Sequence, residues 1–428
     1  MAEQSGLPEG WKCVPLGELL REVDVRQTDL PKTETNALEV LSLTKNDGLI
    51  LQSVRFGKRI ATEDTSKYKV VREGQIVYNP YVIWEGAVHA LRKHRAGLVS
   101  PVYPVWETVE PDGGFVDYVL RTPPLIDAYN RVCSGAVNRR RSIRQGAFTG
   151  IKLTVPSLPE RRAIAEVLRT VQGAKASTEK VIAATRQLKA SLMKHLFTYG
   201  PVPLSQTEVS KSTDMRAGPQ RWQSAKLGEL VAEGPQNGLY KPQTDYGDGT
   251  QILRIDDYPN EGGVVTGAAR RVTLSAGEER LYGLRPGDLL INRVNSLSHL
   301  GKTALVGKLE EPVVYESNTM RFSVDRGKVL PEFLYRFLCF EPTREAMRGM
   351  AKRAVAQSSI NQGDVSSLSV PLPPLGEQGQ IAMQLEAVDA KLAAEEQRRE
   401  ALDTLFKSVL HHLMTGKLRL PEFAGGRT

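Results

Sequence analysis

Two kinds of hydrophobic pattern alternate along the chain. Residues 160–197, "ERRAIAEVLRTVQGAKASTEKVIAATRQLKASLMKHLF", contain no proline and one glycine, Gly173. Ile164, Leu168, Val171, Ile182, Leu192 and Leu196 fall on the 4–3 spacing of a heptad seam, with Lys175 and Thr178 in its gap. Residues 377–414 repeat the seam with Ile381, Leu385, Val388, Leu392, Leu402, Phe406, Val409 and Leu413, interrupted by Glu395 and Arg399. Both stretches predict a long helix, each spanning roughly 55 Å at about 1.5 Å of rise per residue. Pro156, Pro159, Pro371, Pro373 and Pro374 stop the preceding strands and open these helices. Elsewhere short alternating runs such as "QIVYN", "DLLIN" and "TMRFSV" between Gly/Pro turns predict strands. "FVDYVLRTPPLIDAYNRV" and "PEFLYRFLCFEPTREAMRGM" predict shorter helices.

These patterns come twice. "SIRQGAF" (142–148) returns as "SINQGDV" (359–365), and the same offset of 217 aligns 116–203 with 333–420 without a gap. Tyr118 meets Tyr335, Arg131 meets Arg348, Glu160 meets Glu377, Ile164-Ala165 meet Ile381-Ala382, and Leu188 meets Leu405. "GWKCVPLGELL" (10–20) matches "RWQSAKLGELV" (221–231) at a slightly different offset. "VVREGQIVYN" (70–79) echoes "GLRPGDLLIN" (283–292) through Gly74/Gly287 and Asn79/Asn292. A period near 215 residues exceeds any solenoid unit, so the pattern is a duplicated domain with its linker. The expected division is a globule at 1–158, a helix at 159–200, a polar linker at 201–217, a second globule at 218–374, a second helix at 375–416 and a tail at 417–428.

Composition adds a partner class. Among 428 residues, 40% are apolar and 25% charged, as in an ordinary globular protein, and the net charge of +8 favours a polyanionic partner. Cys13, Cys133 and Cys339 are odd in number, far apart and without a CxxC pair, which argues against a disulfide framework or thiolate zinc site. "MAEQSGLPEGW" lacks a signal-peptide pattern, and no apolar run approaches the ~18 residues of a membrane span. A cytoplasmic, non-membrane protein is expected.

Three motifs resemble catalytic ones. Asn79-Pro80-Tyr81 is similar to the Asn-Pro-Pro-Tyr loop of amino-methyltransferases, but it lacks the second proline and its counterpart reads "INRVN". Gly301-Lys302-Thr303 lacks the upstream glycine of a P-loop, Ser296 standing in its place. The six histidines, His195 and His412 among them, show neither HExxH nor a His/Cys pair at zinc spacing. The chain is expected to bind rather than to react, with no catalytic residue and no metal.

Basic and amide-bearing clusters are the better candidates. "NRRRSIRQG" carries Asn138, Arg139, Arg140, Arg141 and Arg144. Its counterpart "KRAVAQSSINQG" carries Lys352, Arg353 and Gln357. "RKHR" adds Arg92, Lys93 and Arg95, and "NRVNSLSHLGK" adds Arg293, Asn295, His299 and Lys302. Arginine forks suit guanine edges and phosphates, while Asn and Gln suit adenine edges. A solvated loop is the plain alternative for any one cluster; corresponding placement in both halves favours DNA contact.

Two globules that open on "Leu-Gly-Glu-Leu" after a tryptophan and close on "Pro…Glu-Gln/Arg…Ile-Ala" before a long helix resemble the specificity subunit of type I restriction–modification systems. "PLPPLGEQGQIAMQLEAVDAKL" (371–392) and "LMTGKLRL" (413–420) carry the likeness most closely; the first copy departs from it with Arg161 where the second has Gln378. The resemblance implies an α+β fold: two α/β target-recognition globules in tandem, each followed by a long helix, the helices pairing as an antiparallel coiled-coil spacer with pseudo-two-fold symmetry. It also implies a bipartite, asymmetric target on double-stranded DNA. Two methyltransferase subunits would dock on the helical frame, where Ile164, Leu168, Val171, Ile182, Leu192, Ile381, Leu385, Val388, Leu392, Leu402, Phe406 and Val409 serve helix pairing and partner docking. Restriction subunits would join that complex. S-adenosylmethionine and ATP with Mg would belong to those partners, and none to this chain. Alternatives are a subunit of a type IIB-like system, a helical DNA-binding adaptor, or an enzyme with degenerate motifs.

Overall fold

The structure is a computed structural model describing residues 8–35, 37–58, 60–61, 64–134, 141–203, 218–219, 221–353 and 357–423. The expected linker lies largely outside them. The chain divides into two compact units, one formed by residues 1–179 with 398–428 and the other by residues 180–397.

In the first unit the chain enters and leaves the globule side by side, because strand Lys12–Pro15 pairs antiparallel with Lys152–Val155. "LGEL" then forms one helical turn, Leu16–Leu19, that buries both leucines. That turn packs on the short helix Gln145–Thr149 of the "SIRQGAF" repeat. A Cβ on Gly17 would stand 3.2 Å from the Cβ of Thr149, so glycine is what lets the two turns approach. A four-stranded antiparallel sheet follows, in the order Leu20–Val23, Val105–Thr108, Ile76–Tyr78, Val88–Ala90. Phe148 is fully buried, its ring centroid 4.5 Å from that of Tyr78, 5.5 Å from Trp106 and 6.2 Å from Tyr129. The repeated heptapeptide is therefore a core element.

The second unit follows the same plan. Gln223–Lys226 pairs antiparallel with Ser369–Leu372, and Leu227–Leu230 packs on Gln362–Ser366. Here a Cβ on Gly228 would stand 3.1 Å from the Cβ of Ser366. Asn361 caps the short helix reciprocally: its Oδ1 accepts from the Asp364 amide at 2.9 Å, and the Asp364 carboxylate accepts from the Asn361 amide at 2.8 Å. The sheet has five strands, ordered Val231–Asn237, Thr319–Val324, Leu289–Asn292, Thr303–Val306, Gly263–Val265, the last pair parallel.

The long helices run over Leu158–Tyr199 and Leu375–Met414. Each begins in one unit and ends in the other. In the first unit, Glu160 receives a two-pronged bond from Arg419 at 3.0 and 2.8 Å, and Lys175 meets Asp403 at 2.6 Å. In the second, Arg186 meets Glu396 at 2.6 Å and Lys189 meets Asp389 at 2.7 Å. Numbers rise on one helix as they fall on the other, so the helices are antiparallel within each unit. Ile164 and Leu168, together with Leu413 from the other helix, sit in the first core. Ile381 and Leu385, with Leu196 and Phe197 from the other helix, sit in the second. The polar gap in the seam is half buried: Thr178 is 3% exposed and Glu395, bound to Lys391 at 2.5 Å, is 6% exposed, whereas the Lys175 and Arg399 side chains reach solvent.

The departure at Arg161 and Gln378 has a physical reason. Gln378 is fully buried and fully bonded, its Oε1 accepting from the Leu330 amide at 2.8 Å. Its Nε2 donates to the carbonyls of Lys328 and Pro373 at 3.1 and 2.9 Å. Arg161 reaches the equivalent loop of its own unit differently, through an ion pair with Glu110 at 2.6 Å. Both side chains tether the helix start to the loop ahead of the next short helix. Replacing Gln378 by leucine leaves buried backbone groups without partners. It is expected to destabilise the second unit by about 3 kcal/mol, read as a lower midpoint in urea unfolding.

Candidate nucleic-acid interface

One end of the second unit's sheet gathers two candidate clusters that are far apart in sequence. Strands Val231–Asn237 and Leu289–Asn292 both end where Thr319–Val324 begins, with Asn237 opposite Met320 and Asn292 opposite Thr319. A small antiparallel ladder of Val294–Asn295, Ser358–Ser359 and Lys352–Arg353 then joins the "NRVN" loop to the "KRAVAQSS" segment. His299, Lys352 and Gln357 are exposed there and Asn295 is half-buried; the Arg353 side chain lies outside the described part. Nδ1 of His299 is 2.8 Å from Ser296 Oγ and 3.0 Å from Ser298 Oγ. Arg293 is half-buried and donates to the Ser317 carbonyl at 3.2 Å.

Lys302 points elsewhere. It is 6% exposed, donates to the Ile255 carbonyl and lies 4.3 Å from the centre of the Tyr258 ring. Burial lowers its pKa below the ordinary lysine value. Its ammonium holds the loop from inside, and solvent at this end meets the neighbouring side chains instead.

The first unit repeats this construction with other side chains. Leu20–Val23 and Ile76–Tyr78 end where Val105–Thr108 begins. Asn79 Oδ1 accepts from the Tyr81 amide at 3.0 Å, and Asn292 Oδ1 accepts from the Val294 amide at 3.2 Å. The Ile143 amide donates to the Pro80 carbonyl at 3.1 Å, and the Ile360 amide donates to the Arg293 carbonyl at 3.0 Å. The Asn-Pro-Tyr sequence is thus one version of an Asx turn that its counterpart makes without proline or tyrosine. Arg144 is exposed at the start of the Gln145–Thr149 helix and forms no ion pair with the described residues. Arg141 donates to Asn130 Oδ1 at 3.3 Å and to the Asn130 carbonyl, and lies 5.2 Å over Trp84. Asn138, Arg139 and Arg140 lie outside the described residues.

Arg92, Lys93 and Arg95 are not brought to that end. Ala90 pairs with Ile76, and the carbonyls of Leu91 and Arg95 accept from the Gly74 and Glu73 amides, both at 2.9 Å. These bonds put the turn at the opposite end of the sheet. Lys93 and Arg95 are exposed, whereas Arg92 bonds Asp117 at 2.6 and 3.0 Å and lies 4.9 Å over Tyr118. Asp117, 2% exposed, also accepts from Arg121 at 2.6 Å and from the Ala90 amide at 2.8 Å. Burial alone would raise its pKa, but the two guanidiniums outweigh it and hold the carboxyl at about 2.

The seam residues are turned inward. Ile164, Leu168, Ile182, Ile381 and Leu385 are buried, and Val171, Leu192, Val388, Leu392, Leu402, Phe406 and Val409 are half-buried. The apolar side chains that the helices offer to solvent include Leu188, 57% exposed, and Leu405, 47% exposed. The repeat aligns those two leucines off the seam, which was the sequence signal for them. Among the described residues no group of three or more His, Cys, Asp or Glu could hold a metal, and no helix is long and apolar enough to cross a membrane.

Equivalent sheet ends with unlike side chains, each in a unit with its own pair of antiparallel helix segments, define a tandem-repeat protein. The family described as "Type I restriction modification DNA specificity domain" matches residues 219–404. The StySPI specificity subunit of Salmonella potsdam is 29% identical over 294 residues, covering 65% of this chain and 60% of that protein, less than two thirds of its length. The EcoKI specificity subunit of Escherichia coli K12 is 25% identical over 443 residues, covering 96% of this chain and 90% of that one. The crystal structure of a type I restriction–modification S subunit from M. genitalium superposes with a TM-score of 0.58 at 14% identity, over 96% of this chain and 98% of that one. Residues 219–404 thus carry the likeness to that DNA specificity domain, and the chain as a whole is similar to specificity subunits of type I restriction–modification systems.

Proposed function

We propose that this chain supplies sequence specificity to a type I restriction–modification complex and performs no bond chemistry itself. The observation that carries the proposal is the doubled sheet end: identical Asx turns and identical backbone ties hold loops whose side chains differ. A common frame bearing unlike contents suits two unlike half-sites on one DNA. In this proposal residues 1–158 read one half and residues 218–374 the other. Helices 159–200 and 375–416 set the spacing between them.

Arg144 and Arg141 in the first unit, and Asn295, His299, Lys352 and Gln357 in the second, are the proposed contacts at the sheet ends. Lys93 and Arg95, at the opposite end of the first unit's sheet, are left out of the proposed contacts. Two methyltransferase subunits carrying S-adenosylmethionine would dock on the frame, with Leu188 and Leu405 as equivalent anchors, and restriction subunits would add ATP-dependent cleavage. Because an adenine inside a duplex must be flipped out before methylation, the task of this chain is to fix the methyltransferase over one base. The compartment is cytoplasmic.

Single-molecule methylation sequencing of DNA from cells expressing this chain with its methyltransferase partner tests the proposal. The expected result is an interrupted, asymmetric motif carrying N6-methyladenine on both strands and lost when this chain is deleted. A motif that survives the deletion, or no motif at all, would overturn it.

A further inference from the structure

Tyr240 is 81% exposed, in a unit whose other tyrosines are buried (258, 315 and 335) or half-buried (199, 246 and 282). Its exposure does not come from a loose loop. Immediately before it, the Gly238 amide donates to the Thr319 carbonyl at 2.9 Å and the Leu239 amide donates to the Tyr315 carbonyl at 3.0 Å. A Cβ on Gly238 would collide with the backbone of Tyr315 and Glu316, so this loop lies flat on the neighbouring turn. Leu239 is 4% exposed and packs in a small core with Ile252, Val272 and Val314. Immediately after it, Lys241 is drawn back to Glu278 at 2.8 Å and to Asp245 at 3.6 Å. Its side chain is 15% exposed, and its charge is neutralised. Beyond that, the Asp245 amide donates to the Pro242 carbonyl at 3.0 Å.

A loop fixed on both sides of one outward ring is preorganised for contact, because little conformational freedom remains to be lost on binding. A loop meant for phosphate would keep its lysine free; this one pairs it away and offers a ring. The position also fits. Gly238 and Arg293 bond opposite sides of one turn, Gly238 to Thr319, and Arg293 to the carbonyls of Asn318 at 2.8 Å and Ser317 at 3.2 Å. Tyr240 therefore stands at the same sheet end as Asn295, Lys352 and Gln357.

We propose that Tyr240 is a specificity-determining contact for the half-site assigned to residues 218–374, its ring lying against a base edge. This rests on the DNA-reading role proposed above. An apolar ring reads a thymine methyl or wedges at a deformable step, so it carries sequence information that the basic residues around it do not.

The test uses the full chain assembled with its methyltransferase partner, in the wild-type form and as Tyr240→Ala and Tyr240→Phe. Affinity is measured on the cognate duplex and on duplexes with single changes at each position of both half-sites. Tyr240→Ala is expected to bind the cognate site about tenfold more weakly and to lose discrimination at one or two adjacent positions of one half-site. The other half-site should be read as before. Tyr240→Phe should keep both affinity and discrimination, since the ring makes the contact. Thermal unfolding should be unchanged in both variants, because the ring buries little.

Unchanged discrimination in Tyr240→Ala would overturn the proposal. So would an affinity loss spread evenly over both half-sites, or a loss of methylation at undiminished DNA binding, which would make the ring a partner contact. Failure of the wild-type complex to prefer any sequence would instead remove the underlying DNA-reading role.

Discussion

Exchanging residues 1–155 for the corresponding globule of a relative with another target is expected to replace one half of the recognised sequence and leave the other half untouched. The fold explains why the cut belongs at 155. Lys12–Pro15 pairs with Lys152–Val155, so a junction there moves both strands together and breaks no ladder. The Gly17–Thr149 contact and the aromatic cluster around Phe148 move with them. What stays behind is the helical floor, with Ile164 and Leu168 from one helix and Leu413 from the other. The imported globule must fit that floor, so the donor should keep apolar residues at the positions of Phe115, Tyr118 and Leu125. Methylation sequencing of the chimera reads the outcome directly. An unchanged motif, or one altered in both halves, would sink the modular assignment.

Replacing Asp117 by alanine is expected to destabilise the first unit by about 3 kcal/mol, the lower end of the range for breaking a buried ion pair. The carboxylate is 2% exposed and accepts from Arg92, Arg121 and the Ala90 amide, so its loss leaves two guanidiniums without their counter-charge and a backbone amide without its acceptor. Arg92 is 37% exposed, and its regained hydration keeps the cost at that lower end. The sign of the pH effect follows from the depressed carboxyl, at about 2 in the fold against an ordinary 3.8. A lowered folded pKa means stability that is fully present above pH 4 and lost as pH falls through 2. Asp117→Asn, which cannot ionise, should therefore be less stable than the wild type at pH 7 and converge on it near pH 2. Urea midpoints measured across that window check this, and a deficit independent of pH would refute the charge-based account.

Much of the frame was legible because frame residues are constrained locally. A heptad seam with few interruptions makes a helix under almost any tertiary context. "LGEL" packs on the short helix that "SIxQG" opens in both copies, with Gly17 close on Thr149 and Gly228 close on Ser366, an approach that a side chain would crowd. The candidate interface was less legible because it depends on distant pairings. Nothing local in "NRVNSLSHLGK" announces a ladder with residues 352–359, or says that Lys302 turns inward while His299 turns outward. Arg92 read as a free cation in "RKHR", and its acceptor, Asp117, lies 25 positions on and shows nothing unusual in sequence. Nothing in the run Leu239-Tyr240-Lys241 sets that ring apart; the bonds on either side of it hold Tyr240 outward. Side-chain destination at a sheet end is set by tertiary neighbours, and a pattern of residue types does not carry that information.

Because residues 398–428 belong to the same unit as residues 1–179, the globule made earlier of the two is the one completed later. Until residues 398–419 have been made, Glu160 lacks Arg419 and the first core lacks Leu413. During synthesis the early globule carries an uncovered apolar floor, a state open to chaperone capture or aggregation. A stop codon directly after residue 397 would thus damage the unit made earlier while leaving residues 180–397 with all their own parts.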